Sequence, residues 1–123
     1  MSVQLSNRQV NDIVIMDFSG RITLGEGASL LRGTLRSMAN NGTKKILLNL
    51  AEVSYIDSSG LGVLVESYAT ITSRGGQLKL LNLQTRIQDL LVITKLFTVL
   101  QVFSDEALAI ASFAEPVAQS ATS

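Results

Sequence analysis

A chain of 123 residues, 46% of them apolar, has the length and the hydrophobic content for one packed domain. Ten basic and ten acidic residues cancel and are scattered, which argues against the basic stripe of a nucleic-acid or anionic-membrane binder. The chain contains no cysteine and no histidine, so disulfides, thiolate nucleophiles, the commonest general base and the commonest metal ligand are all excluded.

Residues 3–10 read as a first strand, with Val3 and Leu5 alternating. The turn pair Asn11-Asp12 leads to Ile13-Val14-Ile15-Met16-Asp17-Phe18, an apolar run of strand length that Gly20 ends. Ile22 and Leu24 are placed in a short additional strand before Gly25-Glu26-Gly27. From residue 28 to about residue 40 the spacing becomes helical, with Leu31, Leu35 and Met38 at i, i+4 and i+7, and Asn40-Asn41-Gly42 supplies a stop. Ile46-Leu47-Leu48-Asn49-Leu50 is apolar on both faces, as suits a central strand covered on two sides. Leu61, Leu64, Val65, Tyr68 and Thr72 fall on one face of a second helix that Gly75-Gly76 closes. Gln77-Leu78-Lys79-Leu80-Leu81 predicts a strand, residues 85–94 a third helix with Ile87, Leu90 and Leu91 inward, and Val99-Leu100-Gln101-Val102-Phe103 a last strand. Ser104-Asp105-Glu106 opens a final helix to about residue 113, with acids in the dipole-favoured first turn. Strands alternating with helices define an α/β domain over residues 1–113, a mixed but mostly parallel sheet with an N-terminal antiparallel hairpin and about four helices. Residues 114–123, small and polar and holding the single proline, are expected to be a flexible tail.

The N-terminus lacks the basic-then-apolar layout of a signal peptide, and no stretch has the apolar length of a membrane span, so a cytoplasmic location without membrane insertion is expected. In sheets of this kind sites gather at the carboxyl ends of strands. Two loops qualify: residues 20–25, and Ile56-Asp57-Ser58-Ser59-Gly60-Leu61-Gly62 at the mouth of the second helix. Helix capping accounts for any one of Asp57, Ser58 and Ser59, since each can accept a bond from an unpaired helix N–H. A serine at a helix start is equally suited to carry a phosphate. A serine nucleophile would need a base, and there is no histidine, no Gly-x-Ser-x-Gly elbow and no Ser-x-x-Lys spacing at Ser58 or Ser59. The Gly-x-Gly and Gly-Gly pairs are too short for a dinucleotide fingerprint, no Walker-type phosphate loop is present, and no metal-ligand cluster is legible.

The decapeptide Tyr55-Ile56-Asp57-Ser58-Ser59-Gly60-Leu61-Gly62-Val63-Leu64 resembles the signature of STAS domains, and among them of the anti-sigma factor antagonists. Gly20-Arg21-Ile22, Ile46-Leu47-Leu48-Asn49-Leu50, Gly75-Gly76-Gln77-Leu78-Lys79-Leu80 and residues 96–103 agree with the family's framing segments, so the resemblance spans roughly residues 3–113. It implies the STAS fold and a binding protein, not an enzyme, with no cofactor. The implied partners are an anti-sigma factor that is also a serine kinase, bound by the unphosphorylated form so that the sigma factor is released, and a metal-dependent serine phosphatase. The first serine of the Asp-Ser-Ser-Gly loop, Ser58, is the implied phosphorylation site. Thr23, Asp57, Ser58, Ser59, Gly60 and Leu61 are the implied partner-binding residues. Antagonists of this kind carry an acidic residue in the segment where this chain has Ile22-Thr23-Leu24, so Thr23 supplies a neutral hydroxyl instead. The same resemblance also fits a STAS module in another phospho-signalling, stressosome or lipid-transport ATPase complex, and a nucleotide-binding role is the remaining alternative.

Overall fold

A computed structural model describes residues 3–114. The order of elements is β1 (Gln4–Val10), β2 (Ile13–Ile22), α1 (Glu26–Asn40), β3 (Lys45–Ile56), α2 (Ser58–Ser73), β4 (Gln77–Leu81), α3 (Thr85–Ile93), a 3-10 turn (Leu96–Thr98), β5 (Val102–Phe103) and α4 (Glu106–Ser112). The five strands lie in one sheet in sequence order. β1 pairs antiparallel with β2 through the Val10↔Ile13 end, and every later pair is parallel. Because the sheet always grows in one direction, crossovers of a single hand put their helices on one face.

That face holds the larger core. Met16 and Phe18 of β2, Ile46, Leu48 and Leu50 of β3, and Leu78 and Leu80 of β4 meet Leu31 and Leu35 of α1, Val63, Leu64 and Ile71 of α2, and Ile87 and Leu91 of α3. The alternate side chains Ile13, Ile15, Leu47 and Leu81 form a second cluster with Ala109 and Phe113, at and just beyond α4. Alternation with period two sends neighbouring residues of one strand to these two cores, which explains why the central strands read as unbroken apolar runs. Lys79 lies on the α4 side, only 5% exposed. Its ammonium donates to the carbonyl and Oγ of Ser112 and sits over the Phe113 ring, a cation placed at the negative end of α4.

α1 starts two residues early, at Glu26, and four other boundaries differ more clearly from expectation. β2 does not end at Gly20: a φ of 110° there lets the strand bulge and continue, with register shifts at Asp17/Ser19 and Gly20/Arg21, so Ile22 belongs to β2 and Leu24 to the loop. β3 runs on from Leu50 to Ile56, because its distal half still has β2 as a partner after pairing with β4 has stopped at Asn49↔Leu81. α2 starts at Ser58, three residues before its apolar stripe. β5 shrinks to Val102–Phe103, because residues 96–98 coil into the 3-10 turn and Leu100 turns inward as a buried plug. Of the expected tail, residues 115–123 lie outside the described residues.

Candidate functional site

The carboxyl ends of β2 and β3 are neighbours, Ile22 pairing with Ile56, so the two loops singled out in the sequence leave the sheet side by side. Asp57 joins them. Its Oδ1 accepts the Gly60 backbone N–H at 3.0 Å and caps α2, while its Oδ2 accepts the Leu24 backbone N–H at 3.0 Å. One carboxylate therefore closes a helix and fastens the facing loop. The Asp57 backbone N–H adds a third link, to the Ile22 carbonyl at 3.3 Å. Those backbone donors, Leu24 first and Gly60 second, hold the Asp57 carboxyl below the ordinary carboxylate range by stabilising the anion.

The loops can approach this closely only because a glycine stands at position 60. A Cβ there would lie 2.3 Å from the Ile22 carbonyl oxygen and 2.7 Å from Ile56 Cγ2. Gly27, in the first turn of α1, meets the same strand end, where a Cβ would lie 2.0 Å from the Arg21 carbonyl oxygen. Both helices are thus pressed onto the last residues of β2.

On this base the sequence-predicted residues separate by exposure. Ser58, the first residue of α2, is exposed. Ser59 and Leu61 are half-buried and Gly60 is buried. Thr23 is half-buried in the facing loop, and its carbonyl accepts the Ala28 N–H at 2.9 Å, so part of its role is to start α1. Asp57 is half-buried between the two loops. Sequence reasoning saw the cap at Asp57 and missed its bond to Leu24, because a contact across 33 positions leaves no local pattern.

Sequence reasoning also missed the opposite wall. Ser58 opens onto a groove of about 780 Å³ that runs from Tyr55 and Leu61 to Arg86, Asp89 and Ile93 of α3. Leu90, expected to point inward, is only half-buried and lines the groove instead, while Ile87 and Leu91 are buried as expected. Exposed apolar side chains stand at and near this end of the molecule: Leu24 is 80% exposed and Ile93 75%. Phe97, Val99 and Val102 of the charge-free segment 96–103 are exposed as well. Among the described residues, no group of three or more acidic side chains is placed to hold a metal ion, and no helix is long and apolar enough to cross a membrane.

An α/β sheet in sequence order, with a serine-bearing helix start capped by aspartate at its carboxyl end, is the arrangement of a STAS domain. Residues 4–109 match the STAS domain family, and the chain belongs to it. The chain is 32% identical over 102 residues to the anti-sigma-B factor antagonist of Bacillus subtilis, covering 83% of this chain and 92% of that relative. The crystal structure of the Thermotoga maritima protein TM1081 superposes with a TM-score of 0.84 at 27% identity, over 90% of this chain and 95% of that one. The Bacillus cell fate determinant SpoIIAA, in its phosphorylated form, shares the fold at a TM-score of 0.69 and 20% identity, over 90% of this chain and 98% of that one.

Proposed function

We propose that this chain is an anti-sigma factor antagonist of the bacterial cytoplasm, a binding protein whose hold on an anti-sigma factor kinase is switched off by phosphorylation of Ser58. Unmodified, it occupies the anti-sigma factor and frees the sigma factor. In the kinase reaction the γ-phosphoryl group of ATP passes to Ser58 Oγ, ADP leaves, and the hydroxyl proton goes to a base on the kinase. A metal-dependent serine phosphatase restores the hydroxyl by hydrolysis, water taking up the phosphoryl group and inorganic phosphate leaving. The observation that carries the reading is the position of Ser58: exposed on the first residue of α2, beside an aspartate whose two oxygens already fix both loops. Ser59 is half-buried one residue further on, which favours Ser58 as the accessible hydroxyl. The relatives named as antagonists support the class of partner.

Thr23, Asp57, Ser58, Ser59 and Leu61 are the proposed contact residues, with buried Gly60 setting their position. A neutral hydroxyl at position 58 is easily covered by a docking protein. A phosphate adds up to two negative charges next to the Asp57 carboxylate, and these must be desolvated at the same interface. Desolvating that charge at an interface shaped for a neutral hydroxyl costs several kcal/mol, about a thousandfold in affinity. Mass spectrometry of the chain after incubation with ATP and its kinase tests the site: phosphate on Ser58 supports the proposal, and phosphate on Ser59 or Thr23 alone overturns it.

A further inference from the structure

We propose that Arg86 is the internal receptor for a phosphate on Ser58, drawing the phosphoryl group into the groove between the start of α2 and α3. The inference rests on the phosphorylation of Ser58 proposed above and adds the residue that reads it.

Ser58 and Arg86 stand on the walls of one groove of about 780 Å³, Ser58 as the first residue of α2 and Arg86 as the second of α3. Both are exposed. Arg86 is the groove's lone cation; the charged groups that share the lining with it are Asp57 and Asp89. The Asp57 carboxylate is occupied, one oxygen on Leu24 N–H and the other on Gly60 N–H. Asp89 lies on the same wall as Arg86, three positions along α3, yet the two form no ion pair. Elsewhere Arg8 binds Asp17 and Glu106, Arg32 and Arg36 pair with Glu66, and Arg74 donates to Asn40. Among the described residues, the Arg86 guanidinium has no hydrogen-bond or ion-pair partner. Arg21 is likewise unengaged but does not line the groove.

A guanidinium with no partner of its own, on a flexible arm lining the same groove as the Ser58 hydroxyl, has the planar donor pair that a bidentate phosphate contact uses. The carboxylate at position 57 opposes a phosphate on its neighbour, and Arg86 offsets that repulsion within the chain. An aspartate substituted at position 58 is shorter and singly charged, so it engages Arg86 less well than phosphoserine does.

The test installs phosphoserine at position 58 by genetic encoding, which removes any dependence on a kinase, and follows the second ionisation of the phosphate by phosphorus NMR. A guanidinium at contact distance favours the dianion, so the midpoint in the otherwise unmodified chain is expected roughly half a pH unit to one unit below that in the R86Q variant. R86K is expected to fall between them, and added salt to narrow the gap. Superimposable titrations of the R86Q variant and its parent would overturn the role of Arg86, whatever the kinase does. A kinase that leaves Ser58 unmodified would instead overturn the function proposed above, and the NMR comparison would still decide the groove chemistry.

Discussion

Gly60 and Gly62 stand two residues apart in α2, and the structure predicts opposite signs for the same substitution at the two positions. Helical glycine replaced by alanine gains about 1 kcal/mol when the new methyl meets nothing. Position 62 is that case, with no atom within 4 Å of a built Cβ. At position 60 the methyl would lie 2.3 Å from the Ile22 carbonyl oxygen, where ordinary contact begins at 3.4 Å, so α2 must retreat from β2 by about 1 Å. Forced overpacking against backbone costs roughly 3 kcal/mol, which outweighs the helix-propensity gain. At roughly 4 °C per kcal/mol for a domain of this size, G62A is expected to raise Tm by about 4 °C and G60A to lower it by about 8 °C. Thermal unfolding followed by circular dichroism reads both. The retreat would also pull Asp57 from Ile22 and Leu24, so G60A is expected to weaken partner binding where G62A, exposed on the helix, preserves the fold. A G60A protein as stable as its parent would refute the close approach on which the site geometry depends.

The Asp57 carboxyl has its folded-state pKa lowered, so its contribution to stability is complete above its unfolded value near 4 and fades as pH falls through the folded one. D57N is therefore expected to speed amide exchange at Leu24 and Gly60 at pH 6, with the difference from the parent vanishing in strong acid. Arg8 bridges Asp17 of β2 and Glu106 of α4 through paired hydrogen bonds, but its side chain is 42% exposed. R8Q is accordingly expected to loosen α4 in hydrogen exchange while costing less than about 1 kcal/mol in urea unfolding, and the effect should shrink in 1 M salt. S58A is expected to abolish phosphate incorporation by the kinase and S59A to leave it largely intact, as read by intact-mass spectrometry; the reverse pattern would move the site by one residue.

The layout of the domain was legible in the sequence because each element carries its own period. β4 spans the same five residues in sequence and structure, Gln77–Leu81, since Gly75-Gly76 sets off a compact apolar run. The boundaries that moved depend on distant partners. β3 runs on past Leu50 because β2 accompanies it, and β2 passes Gly20 because a glycine bulge there bends the strand without ending it. The residues of the serine loop were visible as chemistry in one short stretch. The groove wall on α3 was not, because Arg86, Asp89 and Ile93 come to line one groove with Ser58 only through the tertiary fold.

Titration calorimetry of the anti-sigma factor kinase against the chain with a bare serine at position 58, and then with phosphoserine there, measures the switch itself. The first form is expected to bind and the second to bind about a thousandfold more weakly, both with the same far-ultraviolet circular dichroism. Equal dissociation constants for the two forms would contradict the account.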